Sequence, residues 1–82
     1  MQFIPTVKFR DEQFGAVLFE TRAEKVFTLN PTAAAIVREL RTGTDESGVV
    51  ERLASDFDAP AGVIARDVHT LVTCLTEAGL LT

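Results

Sequence analysis

The chain changes period once. From residue 6 to residue 29 apolar and polar positions alternate or run in short apolar blocks; from residue 31 onward apolar positions recur every three or four residues. Alternation is the mark of half-buried strands, and the three-to-four spacing that of amphipathic helices. The change falls inside KVFTLNPTAAAIVREL, residues 25–40. Lys25, Phe27 and Leu29 share one face of a strand there, and Val26 and Thr28 share the other. Asn30 then supplies an N-cap oxygen, and Pro31 suits the first helical position, where no N–H is needed. Ala33, Ala34 and Ala35 favour the helix, and Ile36, Val37 and Leu40 give it an apolar face.

The punctuation predicts the remaining elements. A first short strand is expected over residues 6–9, with the polar run 10–13 as a turn. Gly15–Glu20 is a second strand, apolar enough to be buried on both faces. Residues 21–24 turn, and Lys25–Leu29 is the third strand. Short strands with tight connections predict an antiparallel meander, with Phe3 and Ile4 of the lead-in segment tucked against it. The first helix is Pro31–Arg41, ended by a left-handed Gly43. Thr44 is expected to cap a second helix over residues 45–57, with Val49, Val50, Leu53 and Phe57 on its buried side. After a break at Asp58 and Ala59, Pro60 opens a third helix over residues 60–78, with Ile64, Val68, Leu71 and Leu75 facing the core. Gly79 ends it, and Leu80 folds back on Leu75. The expected class is α+β, a winged helix-turn-helix-like βββααα arrangement in a single domain spanning residues 1–82.

Composition narrows the chemistry. With 82 residues, 46% of them apolar, most of the hydrophobic content is needed for one modest core. A single cysteine, Cys74, allows neither a disulfide framework nor a cysteine metal site, which suits a reducing cytoplasmic setting. The opening MQFIPTVKF lacks the pattern of a signal peptide, and no apolar run is long enough to span a bilayer, so no membrane partner is expected. Residues 1–43 carry six basic and five acidic side chains, and residues 44–82 carry two basic and seven acidic. An acidic helical half repels a phosphate backbone, which argues against a winged-helix DNA-binding role and against any nucleic-acid partner.

No catalytic constellation emerges, so an enzyme is not the expected class, and no cofactor or metal site is expected. The one histidine, His69, lies about 140° round its helix from Ile64 and should face solvent. Cys74 has no second histidine to activate it and reads as a packed or half-buried thiol. The five glycines do not form a phosphate-cradling loop. Binding remains. The third strand is last in the meander, and an open edge can dock an extended peptide through main-chain bonds. One flank of the third helix carries Val63, Asp67, Thr70, Cys74 and Ala78, a mixed row suited to the opposite wall of a groove. The same row arises if that flank is merely half covered by the sheet, and periodicity does not separate the two.

The sequence resembles the PqqD-like family of peptide-recognition proteins. The likeness rests on FTLNPTAAAIVREL, LASDFDAP, ARDV and LTEAGLL in that order, with Leu29, Asn30, Phe57, Asp58, Asp67, Val68, Gly79, Leu80 and Leu81 at the family's positions. It spans about residues 7–81. The resemblance implies a non-catalytic protein that binds the leader of a ribosomally made precursor peptide as an added antiparallel strand, in a groove against the third helix. It implies two kinds of setting. One is a lasso-peptide pathway with a cysteine-protease-like leader peptidase and a macrolactam synthetase, which this chain looks more like. The other is a PqqD-type chaperone serving a radical enzyme of pyrroloquinoline quinone synthesis. Carried over by position, the peptide-binding residues are Lys25, Val26, Phe27, Thr28 and Leu29 on the strand, with Val26 and Thr28 facing the groove. Val63, Asp67, Thr70, Leu71 and Cys74 form the helix wall. Asp67 either positions a peptide group or pairs internally with Lys25 or Arg66, and Leu71 is either an anchor or core. An open edge can also pair with itself, giving a homodimer that peptide disrupts.

Overall fold

The structure, a computed structural model, describes residues 1–82. Strands β1 (Val7–Glu12), β2 (Gly15–Glu20) and β3 (Lys25–Leu29) precede helices α1 (Pro31–Arg41), α2 (Glu46–Phe57) and α3 (Ala61–Glu77). The sheet is antiparallel in the order β1-β2-β3, so β2 is central and β3 is an edge. The fold is thus α+β with the βββααα order, as the two hydrophobic periods predict.

β1 runs three residues beyond its expected end. Arg10, Asp11 and Glu12 read as a turn because they are polar, yet they pair with Val17, Ala16 and Gly15. An edge strand tolerates them because their side chains find partners in solvent-facing positions. Arg10 bonds Glu12 at 2.6 Å on one face, and the Arg38 Nε donates to Asp11 at 2.9 Å from α1 on the other. The turn shrinks to Gln13 and Phe14.

Cross-strand register sorts the sheet into two faces. Phe9, Leu18 and Phe27 are aligned, as are Asp11, Ala16 and Leu29; this is the helix-facing side. Ala16, Leu18 and Leu29 join residues of all three helices in one core, with Val7, Phe9 and Phe27 packed at its margin. The rows Lys8–Phe19–Val26 and Arg10–Val17–Thr28 lie on the opposite side. None of these six belongs to that core.

Glu20 closes the end of the sheet. Its carboxylate is buried and accepts from the Thr6 hydroxyl and from the N–H groups of Arg22 and Ala23. The Thr6 hydrogen bond, helped by the two N–H donors, outweighs burial and holds its pKa below the ordinary glutamate range. It thereby fixes the 21–24 turn that delivers the chain to β3.

The helix ends follow their capping chemistry. Asn30 Oδ1 accepts from Ala33 N–H at 2.8 Å, and Pro31 opens α1. In α2 the cap is Asp45, which accepts from Gly48 N–H at 2.8 Å, and not Thr44. Thr44 is instead hydrogen-bonded through its hydroxyl to Thr42 at 2.9 Å. Val49 and Leu53 are buried and Val50 half-buried, but Phe57 is 55% exposed, contrary to expectation. It is the last helical residue, and the left-handed Asp58 that follows (φ 49°) turns the chain there. On α3 the buried stripe is Ile64, Val68, Val72 and Leu75. Leu71 is only half-buried, because at 100° per residue it lies about 55° from the centre of that stripe.

Gly79 (φ 82°) ends α3 in a Schellman motif: Leu80 N–H bonds Leu75 C=O at 2.9 Å and Gly79 N–H bonds Thr76 C=O at 3.0 Å. The chain ends then meet. Gln2 and Thr82 exchange backbone bonds, Ile4 N–H bonds Leu80 C=O, and Phe3 bridges Leu81. The lead-in segment therefore pairs with the C-terminus rather than resting on the sheet alone.

Candidate functional site

β3 pairs with β2 on one side only, so alternate N–H and C=O groups of Lys25–Leu29 face outward without a strand partner. Beside its C-terminal end a groove opens between α1 and α3. A cleft of about 420 Å³ is lined by Asn30, Thr32, Ala33 and Ile36 on one wall and Arg66, Asp67, Thr70, Leu71 and Cys74 on the other. A narrower, more apolar cavity of about 170 Å³ continues it, reaching Leu53, Phe57, Ala59, Val63 and Ile64. The two share Thr32, Ile36 and Asp67.

All five predicted helix-wall residues line this continuous groove: Asp67, Thr70, Leu71 and Cys74 in the wider part, Val63 and Asp67 in the narrower. The strand residues do not. Lys25, Val26, Phe27, Thr28 and Leu29 line neither cavity, and β3 reaches the groove only through the next residue, Asn30. Leu29 is buried, so only its backbone is available at the edge. Val26 and Thr28 do not face the helix wall as expected; they stand on the sheet face turned away from it, while Phe27 is on the helix side.

The opposite wall, α1, was not singled out in the sequence, although Thr32 and Ile36 sit at i, i+4 on one helical face. The Ala33–Ala35 run reads there as propensity and hides a wall.

Asp67 makes no internal ion pair. The ion pairs are Arg10–Glu12, Arg38–Asp11 and Arg52–Glu39, and neither Lys25 nor Arg66 comes within 4.0 Å of the Asp67 carboxylate. Cys74 is a free, exposed thiol and not the packed or half-buried one expected. His69 is exposed, with Nδ1 3.4 Å from Glu46 Oε2, as its helical angle predicts. A cleft of about 430 Å³ lies between residues 1–5 and the end of α1, away from all of these residues. No group of three or more His, Cys, Asp and Glu is placed to hold a metal ion, and no helix is long and apolar enough to cross a membrane.

Among curated proteins, a PqqA binding protein of Gluconobacter oxydans (strain 621H) is 38% identical to this chain over 58 residues, 71% of this chain and 60% of that protein. The chain thus spans well under the full length of that relative. A solved structure described as lasso peptide synthetase B1 complexed with the leader peptide superposes with a TM-score of 0.85 and 31% identity, covering 98% of this chain and 94% of the other. TbiB1 in complex with the TbiA(beta) leader peptide superposes with a TM-score of 0.90 over 99% of this chain and 94% of the other; at 18% identity that likeness is of fold alone. The pattern of the family described as coenzyme PQQ synthesis protein D matches residues 15–81, from the start of β2 to just past the Schellman turn, and the chain belongs to this PqqD family.

Proposed function

We propose that this protein binds the leader region of a ribosomally synthesised precursor peptide. The leader adds as an antiparallel strand to β3 and seats its helix-side residues over Phe27 and in the groove between α1 and α3. Lys25–Leu29 give main-chain bonds, and Val63, Asp67, Thr70, Leu71 and Cys74 give specificity. The protein is a non-catalytic, cytoplasmic delivery module of the lasso-peptide type, handing the precursor to a leader peptidase and a macrolactam synthetase.

The observation that carries this reading is the combination of an unpaired β3 edge and, at its end, a groove holding an unpaired carboxylate. Main-chain pairing and side-chain pockets are the two components of peptide recognition by strand addition. The 31%-identical structural neighbour, itself described in complex with a leader peptide, supports the lasso setting. The relative described as a PqqA binding protein favours a second setting, a PqqD-type chaperone for a radical enzyme. Both settings use the same edge and groove.

A ¹⁵N NMR titration with the leader of the precursor encoded beside the gene tests the reading. Shifts concentrated in Lys25–Leu29 and in the α3 face from Val63 to Cys74 are expected. Shifts confined to other surfaces, or none at saturating peptide, refute it.

A further inference from the structure

We infer that the added strand is read on both sheet faces, and that the peptide side chain paired with Val26, on the face turned away from the helices, is apolar. The inference rests on the peptide-binding reading and adds a specificity position that the groove does not contain.

The outer face carries an apolar lane. Phe19 on β2 and Val26 on β3 are cross-strand neighbours, flanked on the next row by buried Val17. At its β1 end the lane is covered: Arg10 lies with its guanidinium 5.5 Å from the Phe19 ring centroid, and Lys8 is the cross-strand partner of Phe19. Such long side chains lay their stems on apolar surface and keep their charge in water. At its β3 end the lane has no cover. Val26 is 59% exposed, and the strand carrying it has no neighbour beyond. Natural edges are usually blunted by charge, proline or a bulge; β3 has one lysine, at its first residue, and its middle is Val-Phe-Thr.

The lane therefore stops at the place where another strand would continue it. An added strand puts every second side chain on this face, with Cβ about 4.5–5.5 Å from that of its β3 partner. The residue opposite Val26 completes the row Lys8–Phe19–Val26 and gains an apolar contact when it is aliphatic or aromatic. Its two sequence neighbours point to the helix side, one over Phe27 and the other beside Lys25, at the end of β3 away from the groove. Two residues away along the peptide, the side chain opposite Thr28 enters a more polar row shared with Arg10. The peptide motif implied is an outward apolar residue directly between two inward-facing ones, which groove contacts alone do not require.

The probe is the tightest sequence selected on the immobilised chain from a displayed library of random dodecapeptides. It is titrated into ¹⁵N-labelled protein and into Val26→Asp and Val26→Ile variants, and scanned with single Asp substitutions. The β3 amides should shift, Val26→Ile should bind as wild type, and Val26→Asp should bind about fivefold more weakly, the upper range for one cross-strand pair. One peptide position should couple to Val26 in a double-mutant cycle, and it should be apolar. Val26→Thr, isosteric and a good strand former, gives the same direction if Val26→Asp fails to fold. If β3 amides shift but Val26→Asp and Val26→Thr both bind within twofold of wild type, strand addition survives and outer-face reading is overturned. If β3 amides do not move, peptide binding at this edge fails and takes the inference with it. If the peptide-free chain sediments as a dimer that Val26→Asp dissociates without changing peptide affinity, the lane belongs to a second copy and the inference is overturned.

Discussion

Gly15→Ala tests whether the seam between sheet and helices is as tightly built as its geometry indicates. Gly15 has φ 146°, in a region that residues with a Cβ rarely adopt. A Cβ there would stand 2.0 Å from the Leu29 carbonyl oxygen and 2.7 Å from the Asn30 carbonyl carbon. Both are backbone, so no side chain can swing aside. Ordinary contact begins at 3.4 Å, and the chain must open by more than an ångström. That opening displaces the last residue of β3 and the cap of α1 together. Backbone strain at Gly15 contributes about 1–3 kcal/mol. A weakened cap and a disturbed ladder bond add roughly 1 kcal/mol each. A loss of about 3–5 kcal/mol compares with a total stability of about 4–12 kcal/mol for a chain of this length. The melting temperature should fall by about 12 °C or more, at roughly 4–8 °C per kcal/mol. Gly62→Ala is the control. A Cβ there meets nothing within 4 Å, and alanine is the better helix former, so its melting point should hold or rise slightly. Circular dichroism melts of the two variants decide the matter. Gly15→Ala melting within about 4 °C of wild type would mean that the seam yields and that the close approach is not a constraint.

Other expectations follow from single contacts. Asp45→Ala should cost about 1 kcal/mol in urea unfolding, because Gly48 N–H loses its cap, whereas Thr44→Ala should cost much less. Glu20 has a folded pKa below its unfolded one, so its contribution is fully present above the ordinary glutamate value and is lost as pH falls through the folded value. The melting difference between wild type and Glu20→Gln should therefore be largest near neutrality and should narrow in acid; a difference constant down to the lowest pH refutes this. Asp67→Asn should weaken leader binding, measured by calorimetry, while leaving the melt unchanged, since no ion pair is lost. Unchanged affinity with a lower melting point would return Asp67 to an internal role.

Where the sequence contains a residue with one conformational use, the structure follows it to the residue. Gly15 starts β2, Asn30-Pro31 starts α1, and Gly79 ends α3. Where it contains only polarity or adjacency, the reading slips. Arg10, Asp11 and Glu12 are as polar as a turn, and only their partners across the fold make them strand. Thr44 and Asp45 are both capable caps; Asp45 takes the role, and the Thr44 hydroxyl is bonded to Thr42. Leu71 and Val72 are adjacent apolar residues on α3, and only Val72 falls within the buried stripe. The candidate groove shows the same limit. The flank from Val63 to Cys74 is legible as one wall, because helical period fixes which residues share a face. The identity of the facing wall is tertiary information, and α1 rather than β3 supplies it. The pairing of residues 2–4 with 80–82 has no local signal at all.

The exposed residues of the α3 wall are different from those that hold the fold. α1 is tied to β1 by Arg38 and Asp11, and Arg41 lies 4.5 Å from the Phe9 ring centroid. α3 is tied back through Leu80 and Leu81 to the segment leading into β1. Both walls are thus anchored at the end away from Asp67. Val63, Asp67, Thr70 and Cys74 are exposed, and none makes a side-chain hydrogen bond or ion pair in the folded chain. A surface arranged this way can change its side chains at little cost to stability. Val26 likewise is exposed and lies outside the core. Within the chain its side chain has Phe19 as its cross-strand partner and no strand on the other side.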